Sequence, residues 1–167
     1  IFSQWLQGYQ LDADSLQLVY ATLLSVFPSV ETWVTQENDL LFVCHQAVPS
    51  YSLSGVKSRI MENPMGEAVA RAWQVSTVEG FFARYAAGTA TARRAAAGAR
   101  GVNTDDRNLL EYGMARSQLG RASFRYQSLM ASAFDAGDDL PPHLRGALNV
   151  EAVLEARQRI EKPIVGL

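Results

Sequence analysis

The chain has 167 residues, 48% of them hydrophobic, which is enough for one domain with a real core. A net charge of −2 gives no global pull towards nucleic acid or a membrane surface, and the single cysteine excludes a disulfide framework and a thiolate metal site. The charge is uneven: residues 1–56 hold five acids and no Lys or Arg, whereas residues 84–125 hold eight Arg. That break predicts two units in different surroundings. No run approaches the ~18 consecutive apolar residues of a membrane-spanning helix, and residues 1–27 lack the basic start of a secretory signal. The expectation is a soluble, cytoplasmic chain without membrane contact.

In chain order, Ile1-Phe2-Ser3-Gln4 reads as the end of a strand whose partners precede it. Asp14 is placed to cap a helix, with Gln17 completing a capping box. Leu16, Val19, Tyr20, Leu23, Leu24 and Phe27 then recur at helical spacing until Pro28 ends the helix. Val30 to Gln36 is β-branched and aromatic, and Leu40 to Cys44 is apolar on both faces. Around the polar turn at 37–39 they predict a hairpin whose second strand is interior. Cys44 in that run reads as a buried, inert thiol.

From Pro49 the pattern turns helical. Helices are expected at Ser54–Met61, at Met65–Val75 opened by Pro64, and from a Ser76/Glu79 capping box through Phe81, Phe82 and Tyr85 to a closing Gly88. Further helices are expected at Thr89–Ala99, Arg121–Ala136 and Asn149–Glu161, the last two separated by Leu140-Pro141-Pro142. The fold class is therefore α+β, predominantly helical, with a small strand-helix-hairpin sheet.

Gln4-Trp5-Leu6-Gln7-Gly8-Tyr9, followed by the Leu16 to Phe27 stripe and Pro28, resembles one stretch of the spermidine synthase family of polyamine aminopropyltransferases. Asn103-Thr104-Asp105-Asp106-Arg107 with Glu111-Tyr112 resembles a TDD-then-LEY pattern near the C-termini of bacterial spermidine synthase-like proteins, although Asn108 stands where they often have Pro. The resemblance implies that residues 1–46 are the C-terminal part of a Rossmann-like methyltransferase fold. They would supply its fifth strand, the following helix and a hairpin whose last strand runs antiparallel inside its predecessor. Residues 50–167 are then a helical extension. The implied parent transfers an aminopropyl group from decarboxylated S-adenosylmethionine to an amine, or is a divergent homologue. The implied partners are the remainder of the parent chain and a polyamine or other amine.

No catalytic residue, cofactor-binding motif or metal site is expected in this segment, which alone should be inactive. The resemblance carries over Gln4 as a residue facing an amine pocket, the other reading being a strand-end cap. Trp5 and Tyr9 are placed to line that pocket by cation–π contact, with packing against the first helix as the other role for Trp5. The turn at 35–39 lacks the longer Tyr-bearing loop of typical members, which points away from putrescine. Asp105, Asp106 and Glu111 form a candidate polar cluster for a polyamine or metal, against a plainer role in capping and ion pairing. His45 and His143 have no companion at ligand spacing. The Arg-rich stretch reads as a solvated face and not as a nucleic-acid surface. The rival reading of the whole is a non-catalytic helical interaction or oligomerisation module. An exposed sheet edge and apolar hairpin predict a homo-oligomer built around Phe2, Trp33 and the hairpin.

Overall fold

The computed structural model describes residues 1–8, 11–36, 39–111 and 124–161. The chain opens with strand β1 (Phe2–Leu6), helix α1 (Ala13–Leu24) and the hairpin strands β2 (Ser29–Val34) and β3 (Leu40–His45). The capping residue of α1 is Asp12, not Asp14: its carboxylate accepts from the backbone N–H of Ser15 at 2.7 Å. Starting two residues early leaves Asp14 in the first turn, where its charge complements the helix dipole. Leu16, Val19, Tyr20 and Leu23 form the buried stripe expected of them.

β3 lies between β1 and β2 and runs antiparallel to both, with Phe42 opposite Gln4 on one side and Thr32 on the other. β1 and β2 are therefore parallel to each other and joined by the α1 crossover. The tight turn closes through Asp39 N–H to Gln36 O at 2.7 Å and Thr35 N–H to Asp39 O at 3.0 Å. β3 is interior, as expected, but its two faces differ. Leu40, Phe42 and Cys44 are fully buried, while Leu41, Val43 and His45 are only half-buried.

The described residues after Pro49 continue onto this sheet. Helices α2 (Leu53–Met61), α3 (Met65–Trp73) and α4 (Val78–Phe82) come first, with the short strand β4 (Tyr51–Ser52) before α2. Tyr85–Ala87 then forms strand β5, antiparallel on the free edge of β2, so the sheet order is β1-β3-β2-β5. This corrects the expected helix running to Gly88. α4 is capped by Thr77, not Ser76, and stops at Phe82. Every residue of β2 is buried, so its outer backbone groups need partners. The Tyr85–Ala87 segment supplies them, beginning with Val34 N–H to Arg84 O at 2.8 Å.

Gly88 opens the next helix, α5 (Thr89–Ala96), rather than closing the previous one. A Cβ there would run into the Asp138 carboxylate and lie 2.8 Å from the Tyr85 hydroxyl. Asp138 caps α5 from far along the chain, accepting from Thr91 N–H at 2.6 Å. α5 packs on α1, and α6 (Tyr126–Asp135) adds Leu129, Met130 and Ala133 to the same core. Strand β6 (Leu144–Arg145) pairs in parallel with β4, and α7 (Val150–Glu161) packs on α4. One sheet face thus carries a mainly apolar core under α1, α5 and α6, crossed by a buried Tyr20–Thr32 hydrogen bond of 2.7 Å. The other carries Trp33, Phe82, Tyr85, Ile60 and Val78 beneath α2, α4 and the β4–β6 pair. No helix among the described residues is long and apolar enough to cross a membrane.

Candidate functional site

The most unusual chemistry lies on the second face. Alternation along β2 sends Val30, Thr32 and Val34 to the apolar core and Glu31 and Trp33 to the opposite side. Glu31 is 1% exposed. Its Oε2 accepts from the Tyr51 hydroxyl at 2.6 Å and from the Trp33 indole N–H at 3.4 Å, and stands 3.8 Å from Nε2 of His45. Its other oxygen, Oε1, is buried with no partner among the described residues, and so are His45 Nε2 and the Tyr85 hydroxyl. Burial pushes the Glu31 carboxyl above its ordinary range, with the Tyr51 and Trp33 hydrogen bonds pulling partly back. The Tyr51 hydroxyl is pushed up by burial and by Glu31. Burial likewise raises Tyr85, and Glu31 adds to it.

This cluster can hold a proton and fasten elements together. Trp33, Phe81, Phe82 and Tyr85 pack around it with ring centroids 5.1–6.2 Å apart. The signal in the sequence was one acid inside a strand of β-branched and aromatic residues, Val30-Glu31-Thr32-Trp33-Val34. Its partners from β3, β4 and β5 come together only in the fold.

The residues singled out from the sequence lie elsewhere, on the outer edge strand. Gln4 is exposed, and its side-chain amide donates to the carbonyl of the adjacent Trp5 at 2.9 Å. Trp5 is 49% exposed. Register places Gln4 opposite Phe42 and Trp5 opposite Leu41, so the two side chains belong to opposite faces of the sheet. Trp5 is therefore on the far side from α1 and does not pack against it, a correction to that expected role. Tyr9 lies outside the described residues. Phe2, on the α1 side, stacks on Phe27 with centroids 5.4 Å apart.

Trp33, expected at the centre of an association surface, is only 5% exposed beneath Phe81, Phe82 and Tyr85 and is not available to a second copy. The reason is that residues after Pro49 cover that face of the hairpin.

Asp105 and Asp106 occupy the exposed tip of a turn closed by two backbone bonds between Thr104 and Arg107, at 3.0 and 3.3 Å. Glu111 is engaged with Asn108: its N–H donates to Oδ1 at 3.3 Å, and Asn108 Nδ2 donates to its carboxylate at 2.6 Å. That is helix capping. Among the described residues no group of three or more His, Cys, Asp or Glu is placed to hold a metal ion. Asn103 ties this loop to α1, its N–H donating to Thr22 Oγ1 at 2.8 Å while its Oδ1 accepts from Leu110 N–H.

Several arginines are engaged within the fold. Arg84 donates to Thr35 O and Trp73 O, and lies over the Trp73 ring. Arg93 donates to Pro28 O and Arg94 to Thr91. The Cys44 thiol is fully buried and pushed up to about 11 by burial, as suits an inert side chain.

No family model, curated protein or solved structure matches this chain.

Proposed function

We propose that the chain is the closing part of a spermidine synthase-like domain, with residues 1–46 finishing a Rossmann-like sheet and residues 50–167 forming its extension. The observation that carries the reading is the strand order. Two parallel strands joined by a helical crossover, with the following strand inserted antiparallel between them, is what the resemblance in Gln4 to Pro28 implies. In support, four of the five residues of β1 are exposed and its outer edge pairs with no described strand. A preceding parallel half, carrying the site for decarboxylated S-adenosylmethionine, would add at that edge. Gln4 and the acceptor amine would then meet at the junction, on the face that Gln4 shares with Phe42.

A thioadenosine binding titration tests this. Residues 1–167 alone should show no saturable binding, and the longer protein that includes the preceding half should show it, followed by aminopropyl transfer in an amine panel. Saturable micromolar binding by residues 1–167 alone would contradict the reading.

The second reading, a non-catalytic interaction module, is favoured by α3. None of its residues is buried, its first residue Met65 is exposed, and so is Met61 just before it. A longer protein that binds no nucleoside but forms a complex lost on Met65→Glu would favour this alternative.

A further inference from the structure

Glu31 belongs to β2 and His45 to β3, one diagonal step apart on the same face, since Glu31 pairs with Val43 and His45 with Ser29. Their side chains are 2% and 13% exposed. At 3.8 Å the Nε2 to Oε2 distance is close enough for strong coupling but too long for a hydrogen bond. Glu31 Oε1 and His45 Nε2 are both buried with no hydrogen-bond partner among the described residues. An isolated charge on either group would therefore sit in a poorly solvated place, offset at Glu31 only by the Tyr51 and Trp33 hydrogen bonds. Tyr51, the third member, belongs to β4. Its hydroxyl is a direct link from the sheet to the β4–β6 pair, and its N–H donates within that pair to His143 O at 3.1 Å.

We propose that Glu31 and His45 form a one-proton pair whose state sets the strength of the Tyr51 bond fastening the β4–β6 layer to the sheet. With one proton between them, the pair is neutral overall whichever group carries it. A second proton leaves a buried imidazolium facing a neutral acid. Loss of the last proton leaves a buried carboxylate with no cation. The Tyr51 hydroxyl donates to Glu31, so its bond is strongest while that carboxyl is ionised and is weakened by the second proton, which leaves the acid neutral.

The surroundings fit this assignment. Tyr51 from β4, Trp33 from β2 and Tyr85 from β5 face Glu31, all neutral near pH 7. Asp138 lies beyond Tyr85, and Arg157 is committed to Asp139 at 2.6 Å. From α2, the nearby Lys57 and Arg59 are exposed, and the residues packed into the cluster, Val56 and Ile60, are apolar.

Linkage gives opposite signs for the two members. The Glu31 carboxyl is held above its ordinary 4.5, so its contribution is complete below 4.5 and is lost as pH rises through its folded value. The His45 imidazole is held below its ordinary 6.5, mainly by burial, so its contribution is present above 6.5 and is lost as pH falls through its folded value. In the wild type these opposing slopes offset each other.

The test is NMR titration of the His45 imidazole, with denaturant midpoints measured across the same pH range. In Glu31→Gln the His45 titration should move to lower pH by about one unit, the size expected on removing a neighbouring opposite charge. Its unfolding midpoint should also rise with pH more steeply than the wild type's. In His45→Gln the midpoint should rise less steeply or fall. Tyr51→Phe, which removes a bond favouring the carboxylate, should shift His45 in the same direction by less. A His45 titration unmoved by Glu31→Gln would overturn the proposal. Should that variant not fold, the wild type decides through its labelled carboxyl and imidazole signals. A pair moves through two shared steps, whereas independent groups each move through one step of their own.

Discussion

The two edges of the sheet are finished in opposite ways. At β5 all three residues are buried, α6 packs against the strand, and Arg157 donates to the carbonyl of Tyr85 while holding Asp139. At β1 four of the five residues are exposed, and Phe2 and Trp5 leave large apolar surfaces in solvent. The open strand FSQWL has no charge, no proline and no bulge, the devices that normally protect an edge from pairing. Among the described residues, one edge is closed by three separate segments and the other by none. Within the proposed function, this asymmetry marks β1 as the seam.

Substitutions should show the same asymmetry. The largest loss is expected at the closed edge: Tyr85→Ala removes a fully buried ring against Trp33 and should cost about 3–5 kcal/mol by urea unfolding. Tyr85→Phe sharpens the point. Its hydroxyl is buried without a partner among the described residues, so losing it should be neutral or slightly stabilising. Next comes Asp139→Ala, which strands the Arg157 guanidinium. Asp139 is 18% exposed at its side chain, so about 2–3 kcal/mol is expected, below the full cost of a buried pair. At the open edge Trp5→Ala should cost only about 0.5–1 kcal/mol in this chain, because half the ring already faces water. A loss as large as that at Tyr85 would mean that β1 is covered. Smallest is Gln4→Ala, within about 0.5 kcal/mol for stability. In an active longer protein the same change should weaken amine binding by about 1–2 kcal/mol and spare the nucleoside. An unchanged Michaelis constant for the amine would return Gln4 to a structural role.

What could be read from residues alone follows the range of the forces involved. The α1 stripe and the hairpin were legible because their periodicities of 3.6 and 2 are local. Caps were legible only to within a residue or two. Asp12 and Asp14, or Ser76 and Thr77, offer the same oxygen chemistry, and packing decides which is used. β5 was not legible at all. Tyr85-Ala86-Ala87 has no strand pattern, and it is extended because the buried edge of β2 needs hydrogen-bond partners some 50 residues away in sequence. Asp138 capping α5 is equally remote. For the site, Glu31 was visible as an acid amid apolar neighbours, but His45 and Tyr51 gain meaning only through strand register. Gln4 and Trp5, adjacent in sequence, are separated by the alternation of one short strand.

Amide hydrogen exchange, read strand by strand, tests the seam most directly. In residues 1–167 alone the outward-facing amides of Phe2–Leu6 should exchange rapidly, while those of Tyr85–Ala87 stay protected. Joined to the preceding half that the proposed function implies, the β1 amides should become as slow as those of β5. If β1 is already as protected as β5 in residues 1–167 alone, its edge is occupied and the account of an open seam is wrong.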